Sequence, residues 1–309
     1  MQNPLSIGVD IGGTHITCAA VKIREGRLLE ETRSRATYHH EAPADAIFQS
    51  WATALNSTIS KMDASQLAGI GFAIPGPFDY LHGTSKMQHK FKNLFGLHIP
   101  TALAPLLTTP QNLPMRFLND ATAFAVGEAW LGEGRGFQRV VVITLGTGFG
   151  SAFIQNGVPV VSGEAVPKEG CLWHLPFKEG IADDYFSTRW FADEYQKQTG
   201  RKISGVKELM ESVRTDAVAR SLFLEFGRNL AACLAAPLRH FGAEVLVVGG
   251  NIAHALPLFE DVFREGLGKA SVSVEVVLST LLEDAALLGS ARLLDDTFWG
   301  QVSAQLPNL

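Results

Sequence analysis

One local plan occurs twice in this chain, and it restricts the fold more than any other feature. Residues 5–9 read as a buried apolar strand, Asp10-Ile11-Gly12-Gly13-Thr14 as a tight turn, and residues 16–23 as a second strand, which together make a β-hairpin. Residues 140–144 are again a strongly apolar strand, followed by the turn Leu145-Gly146-Thr147-Gly148-Phe149-Gly150 and a strand over 151–154. Glycine lets the backbone turn tightly and lets its N–H groups approach an anion with no Cβ in the way. Thr14 adds a hydroxyl donor, and Asp10 puts a carboxylate where Mg²⁺ could sit between protein and phosphate. Either turn alone is an ordinary hairpin; the pair, one per half of the chain, would grip a polyphosphate from both sides.

Around these hairpins the chain alternates strands and helices. A third strand is expected over 28–35, and a helix over 43–62, where Ile47, Trp51, Leu55 and Ile59 share one face. Further strands are expected over 69–74, 116–118, 244–248 and 272–278. Further helices are expected over 100–107, 121–131, 181–198, 206–213, 216–239, 255–267 and 285–294, with an irregular loop over 161–180 and a tail over 298–309. The 309 residues suffice for two domains, and 46% hydrophobic content suffices for two cores. A net charge of -5 argues against a nucleic-acid partner, which needs a clustered basic surface. No apolar run reaches membrane-spanning length, so no membrane partner is expected. Met1-Gln2-Asn3-Pro4 has no signal-peptide layout. Cys18, Cys171 and Cys233 are few and far apart, which fits a reducing cytoplasm and rules out a zinc site made of cysteines alone.

Three strand ends carry candidate chemistry. Pro75-Gly76-Pro77-Phe78-Asp79 is a loop at a strand end, where α/β folds often bind ligands. Asn119-Asp120 stands between a strand and a helix. An Asp there is a good helix cap, and it could equally take a proton from a substrate hydroxyl; local sequence favours the cap. Gly249-Gly250-Asn251 follows a buried strand ahead of a helix, which suits either a tight connection or a nucleotide's sugar and base.

Taken in order, these segments resemble the ROK sugar-kinase family of the actin/hexokinase/Hsp70 superfamily. The likeness runs from about Ile7 to Ala291. It rests on Asp10-Ile11-Gly12-Gly13-Thr14, Pro75-Gly76-Pro77, Asn93-Leu94, Asn119-Asp120-Ala121, Gly146-Thr147-Gly148-Phe149-Gly150, Val248-Gly249-Gly250 and the closing helix Asp284-Ala285-Ala286-Leu287-Leu288-Gly289-Ser290-Ala291. The resemblance implies an α/β fold of two lobes, actin-like ATPase (ribonuclease H-like) domains with a cleft between them. The boundaries expected are 1–119 for a small lobe, on which the helix near 284–296 packs back, and 120–283 for a large one.

The resemblance implies an ATP- and Mg²⁺-dependent phosphotransferase acting on a sugar hydroxyl, with Asp120 as general base. Gly12, Gly13, Thr14, Gly146, Thr147 and Gly148 would hold the phosphates, Gly249 and Gly250 would border the adenosine, and Asp10 would hold Mg²⁺ through water. Gly76, Asn93, Asn119, Asp120, His174 and Asp183 would face the sugar. Relatives are often dimers, which extends by analogy to a homodimer here. The family's usual zinc motif is missing, so the resemblance implies no zinc. Cys171-Leu172-Trp173-His174 stands where relatives have Glu-x-Gly-His; the competing register puts Glu169 at the acidic position and loses the histidine. Residues 144–157 are also similar to polyphosphate-dependent glucokinases, so polyphosphate stands beside ATP as a donor, without a basic run to favour it. A sugar sensor without catalysis is the alternative from another class.

Overall fold

The computed structural model describes residues 4–109 and 113–309; Met1, Gln2 and Asn3, on which the signal-peptide expectation partly rests, lie outside them. In chain order the main elements are β1 (Leu5–Ile11), β2 (His15–Lys22), β3 (Arg27–Thr37), α1 (Ala44–Ile59), β4 (Leu67–Ile74), β5 (Met115–Asn119) and α2 (Asp120–Leu131). There follow β6 (Arg139–Leu145), β7 (Phe149–Gln155), α3 (Thr188–Thr199), α4 (Ala217–Phe241), β8 (Val245–Gly249), α5 (Glu260–Lys269), β9 (Glu275–Leu278), α6 (Asp284–Arg292) and α7 (Asp296–Ser303).

The chain divides into two compact units. Unit 1 comprises the described residues of Met1–Arg135, with Gly157–Pro159 and Glu283–Leu309; unit 2 comprises Gly136–Asn156 and Val160–Leu282. In unit 1 the strands lie in the order β3-β2-β1-β4-β5, with β1–β2 and β2–β3 antiparallel and β1–β4 and β4–β5 parallel. Unit 2 repeats the scheme as β7-β6-β8-β9, with β6–β7 antiparallel and β6–β8 and β8–β9 parallel. Parallel neighbours place β1, β4 and β5, and again β6 and β8, with their C-terminal ends on one sheet edge. β1 is buried over nearly its whole length, which is why it reads as a continuous apolar run rather than an alternation.

The chain passes between units after Arg135, later than the boundary expected after Asn119, because α2 is locked onto α6. A Cβ added to Gly127 would lie 2.0 Å from the Ala285 carbonyl oxygen, and one added to Gly289 would lie 1.8 Å from that of Ala123. The helix backbones touch, and only glycine fits at those two points. α6 sits on the sheet in the same way, since a Cβ at Gly8 or Gly71 would lie 1.9 Å from the carbonyl oxygen of Leu287 or Ser290.

Three expected elements differ. The helix expected over 181–198 is two helices, Ala182–Tyr185 and α3, broken where the fully buried Phe186 turns into an aromatic cluster with Phe149, Phe177 and Phe226. The helix expected over 255–267 starts as a 3₁₀ segment, Asn251–Leu258, containing Pro257, and becomes α-helical only at Glu260. The tail expected over 298–309 includes α7, which is capped by Asp295 and buries Phe298 and Val302.

Candidate active site

In unit 1 the site grows from the end of β1. The first glycine turn closes with the Gly12 N–H donating to the His15 carbonyl at 2.9 Å. The Tyr38 hydroxyl donates to the Gly12 carbonyl, and the Tyr38 N–H donates to the Thr14 carbonyl at 3.0 Å. Gly13 and Thr14 are left exposed at the tip, and a Cβ at Gly13 would meet nothing within 4 Å. Asp10, two residues before Gly12, is partly buried, and its carboxyl is pushed up to about 7. Burial is the largest cause, followed by the Asp120 and Glu283 carboxylates, with Arg35 opposing.

At the end of β5 the helix cap is Asn119, whose Oδ1 accepts the Thr122 N–H at 3.2 Å. Asp120 is therefore the first residue of α2 and is relieved of the capping role that local sequence favours for it. Its Oδ1 accepts the Ala121 N–H at 2.9 Å and the Asn119 amide at 3.0 Å, so both hydrogen bonds fall on one oxygen. Burial raises the Asp120 carboxyl, against the Ala121 N–H, Lys90 and the Asn119 amide. The Asn119 amide also donates to the Tyr80 hydroxyl at 3.4 Å, and a Cβ at Gly76 would lie 3.0 Å from that same hydroxyl. Gly76, Tyr80, Asn119 and Asp120 thus form one chain of contacts. Asn93 is exposed, and its amide nitrogen is spent on the Glu41 and Ala42 carbonyls, both at 2.9 Å.

In unit 2 the second glycine turn follows β6. The Gly146 N–H donates to the Gly148 carbonyl at 3.1 Å, and Thr147 and Gly148 are exposed. One short segment holds both ends of this turn. Asp183 Oδ1 accepts the Phe149 N–H at 2.7 Å, while the N–H and Oγ1 of Thr188 donate to the Gly146 carbonyl at 2.8 and 3.0 Å. Asp183, expected at the sugar, thus supports the second glycine turn, with its other oxygen 3.4 Å from Arg189. Gly250 has φ +83°, and a Cβ there would lie 2.4 Å from the Leu145 carbonyl oxygen, so the Gly249-Gly250 bend packs on the strand that feeds the turn. Cys171 Sγ lies 3.6 Å from His174 Nδ1. Burial and then Glu169 push the Cys171 thiol up to about 12, so it stays protonated. The Trp173 ring meets that of His174 edge-on, at 5.4 Å between centroids, and remains exposed.

The profile of the ROK family matches residues 6–297. The chain belongs to the ROK family. It is 27% identical to the glucokinase of Thermotoga maritima, over 95% of this chain and 98% of that protein. It is 26% identical to the N-acetyl-D-glucosamine kinase of Citrobacter koseri, over 80% of this chain and 84% of that protein. Among solved structures, it is similar to the inorganic polyphosphate/ATP-glucomannokinase of Arthrobacter sp. strain KM, at 25% identity and TM-score 0.67, covering 96% of this chain and 100% of that one. Its two α/β units are those of the actin-like ATPase fold of ROK sugar kinases, and no helix among the described residues is long and apolar enough to cross a membrane.

The acidic group of this ROK chain suits a divalent cation. The Asp120 carboxylate raises the cost of ionising Asp10, Glu283 adds to it, and the opposing charge is Arg35. Among the described residues no three His, Cys, Asp or Glu side chains converge as a ready-made metal cage. One or two carboxylates completed by water and substrate phosphates is the usual manner of Mg²⁺. Sequence reasoning missed Tyr38, Lys90, Thr188 and Glu283. Glu283 alone had a local signal, standing immediately before the recognised Asp284 helix motif.

Proposed function

We propose that this ROK protein transfers the γ-phosphoryl group of ATP to a hydroxyl of a hexose or hexose derivative. The observation that carries the reading is the placement of Asp120: partly buried, with one oxygen tied to the Ala121 N–H and the Asn119 amide and the cap supplied by its neighbour. Its Oδ2 takes the proton of the sugar hydroxyl as that oxygen bonds to the γ-phosphorus, and the bond to the bridging oxygen breaks, releasing ADP. Asn119 and Lys90 keep the Asp120 carboxylate oriented and ionisable. The glycine turns of Gly12, Gly13 and Thr14 and of Gly146, Thr147 and Gly148 are the donor-phosphate contacts. Gly249 and Gly250 border the adenosine. Asp10 would hold Mg²⁺, and the ion would supply neutralisation of charge on the transferring phosphoryl group. Gly76, Asn93 and His174 bind the sugar, with the exposed face of Trp173 as an apolar wall. Cys171 withholds the carboxylate that would pair with sugar hydroxyls, so the acceptor is a modified hexose more readily than its relatives'.

The likeness to the Arthrobacter enzyme supports testing polyphosphate beside ATP. Sugar-dependent ADP release should be measured over hexoses, N-acetylhexosamines and polyols, with Asp120→Ala as control. Turnover on one sugar that disappears in the variant establishes the reaction and the base. Sugar-induced thermal stabilisation without turnover would replace the kinase reading with that of a sensor.

A further inference from the structure

Unit 1 contains a polar hollow lined by none of the candidate site residues. Arg24, Trp130, Arg292, Phe298 and Gln301 help line a cavity of about 310 Å³. Arg292 closes α6, and its guanidinium carbon lies over two rings, 5.1 Å from the centroid of Trp130 and 4.3 Å from that of Phe298. These ring contacts leave the five edge donors of the guanidinium to be satisfied. Among the described residues they make no hydrogen bond or salt bridge, and the charge acting on the guanidinium is the Asp295 carboxylate. Asp295 also lines the hollow, but its Oδ1 accepts the Phe298 N–H at 3.0 Å as the cap of α7. Arg24, exposed at the rim, likewise has no partner among the described residues.

Arg116 shows what a purely structural stacked arginine looks like in this same unit. It lies 5.0 Å over the Trp299 ring, and its edge donates to the Leu293 carbonyl and to Asp296 Oδ1, both at 2.7 Å. Arg292 has the ring contacts without the acceptors. A partly buried fork of donors that shares its hollow with Arg24 and Gln301 matches a compact oxyanion, because planar donors pair bidentately with phosphate oxygens.

We infer that the hollow around Arg292, Arg24 and Trp130 binds a phosphate group, either as inorganic phosphate or as the phosphate of a small phosphorylated sugar. The inference does not depend on the assigned reaction. Binding is measured by titration calorimetry on the full chain, with sugar and a non-hydrolysable ATP analogue held saturating so that the phosphate turns are occupied. The probes are inorganic phosphate, glucose 6-phosphate and unphosphorylated glucose. Wild-type protein should bind phosphate or glucose 6-phosphate saturably, with affinity falling about tenfold or more in Arg292→Gln and severalfold in Arg24→Ala. Arg24 is exposed, so its variant keeps the fold and decides the matter if Arg292→Gln does not fold. Tighter binding of glucose 6-phosphate than of phosphate assigns the sugar phosphate; equal binding assigns phosphate itself. No saturable binding of either anion, or binding that both variants leave unchanged, overturns the inference.

Discussion

At the end of β1 the glycine turn is ringed by charge, with Asp10 two residues before it and the Asp120 and Glu283 carboxylates acting on Asp10. At the end of β6 the same backbone plan has Thr144 at the position of Asp10, and the carboxylate that belongs to this turn, Asp183, is spent behind it on the Phe149 N–H. The first turn is pinned by one tyrosine, Tyr38, and the second by a two-point clamp of Asp183 and Thr188. One sheet topology thus carries different side chains at its strand ends. In unit 1 the strand ends present carboxylates that can take a proton or face a metal. In unit 2 they present glycine backbone and hydroxyls, which can hold phosphate without competing for protons.

The largest test of this asymmetry is Asp120→Asn. We expect kcat to fall about 10³-fold, within the usual span for loss of a general base, with the sugar KM and far-UV circular dichroism little changed because Asn119 still caps α2. A variant retaining near wild-type turnover would remove the chemical distinction between the two units. Next comes the pair Asp10→Asn and Thr144→Ala, which alters equivalent positions of the two hairpins. The first should lower kcat/KM by roughly 10²-fold and raise the Mg²⁺ concentration needed for half-maximal rate, as loss of a group acting on transition-state charge does. The second should stay within about twofold. Equal losses in a Mg²⁺ titration would mean that the hairpins do the same work.

A smaller effect is expected from Asp183→Ala. Loss of a charge-assisted hydrogen bond to the Phe149 N–H should raise the KM for ATP about tenfold and leave the KM for sugar alone. A rise confined to the sugar KM would return Asp183 to the acceptor site. The smallest is Gly13→Ala, where a Cβ would meet nothing within 4 Å. Its melting temperature should shift by no more than about 0.5 kcal/mol of stability implies, and a larger loss would show that the tip is not open.

Much of this was legible in the chain itself, and for local reasons. Both hairpins, the helical faces and the Asn-Asp junction are written in periods of two or 3.6 residues and in glycines that a turn or a close approach requires, so short windows contain them. The family likeness then joined those windows into a two-unit fold. Other features depended on residues far apart in sequence. Asn119 rather than Asp120 caps α2, though either residue type suits the position and only the backbone path of β5 selects between them. The unit boundary moved to Arg135 because Gly127 and Gly289 meet across more than half the chain. Asp183 and Thr188 meet the second glycine turn because the break at Phe186, set by aromatic packing, places their segment against Gly146 and Phe149. The residues determined which turns, strands and carboxylates exist; folding decided which of those carboxylates stand together, because burial and mutual charge are properties of neighbours that no stretch of sequence contains.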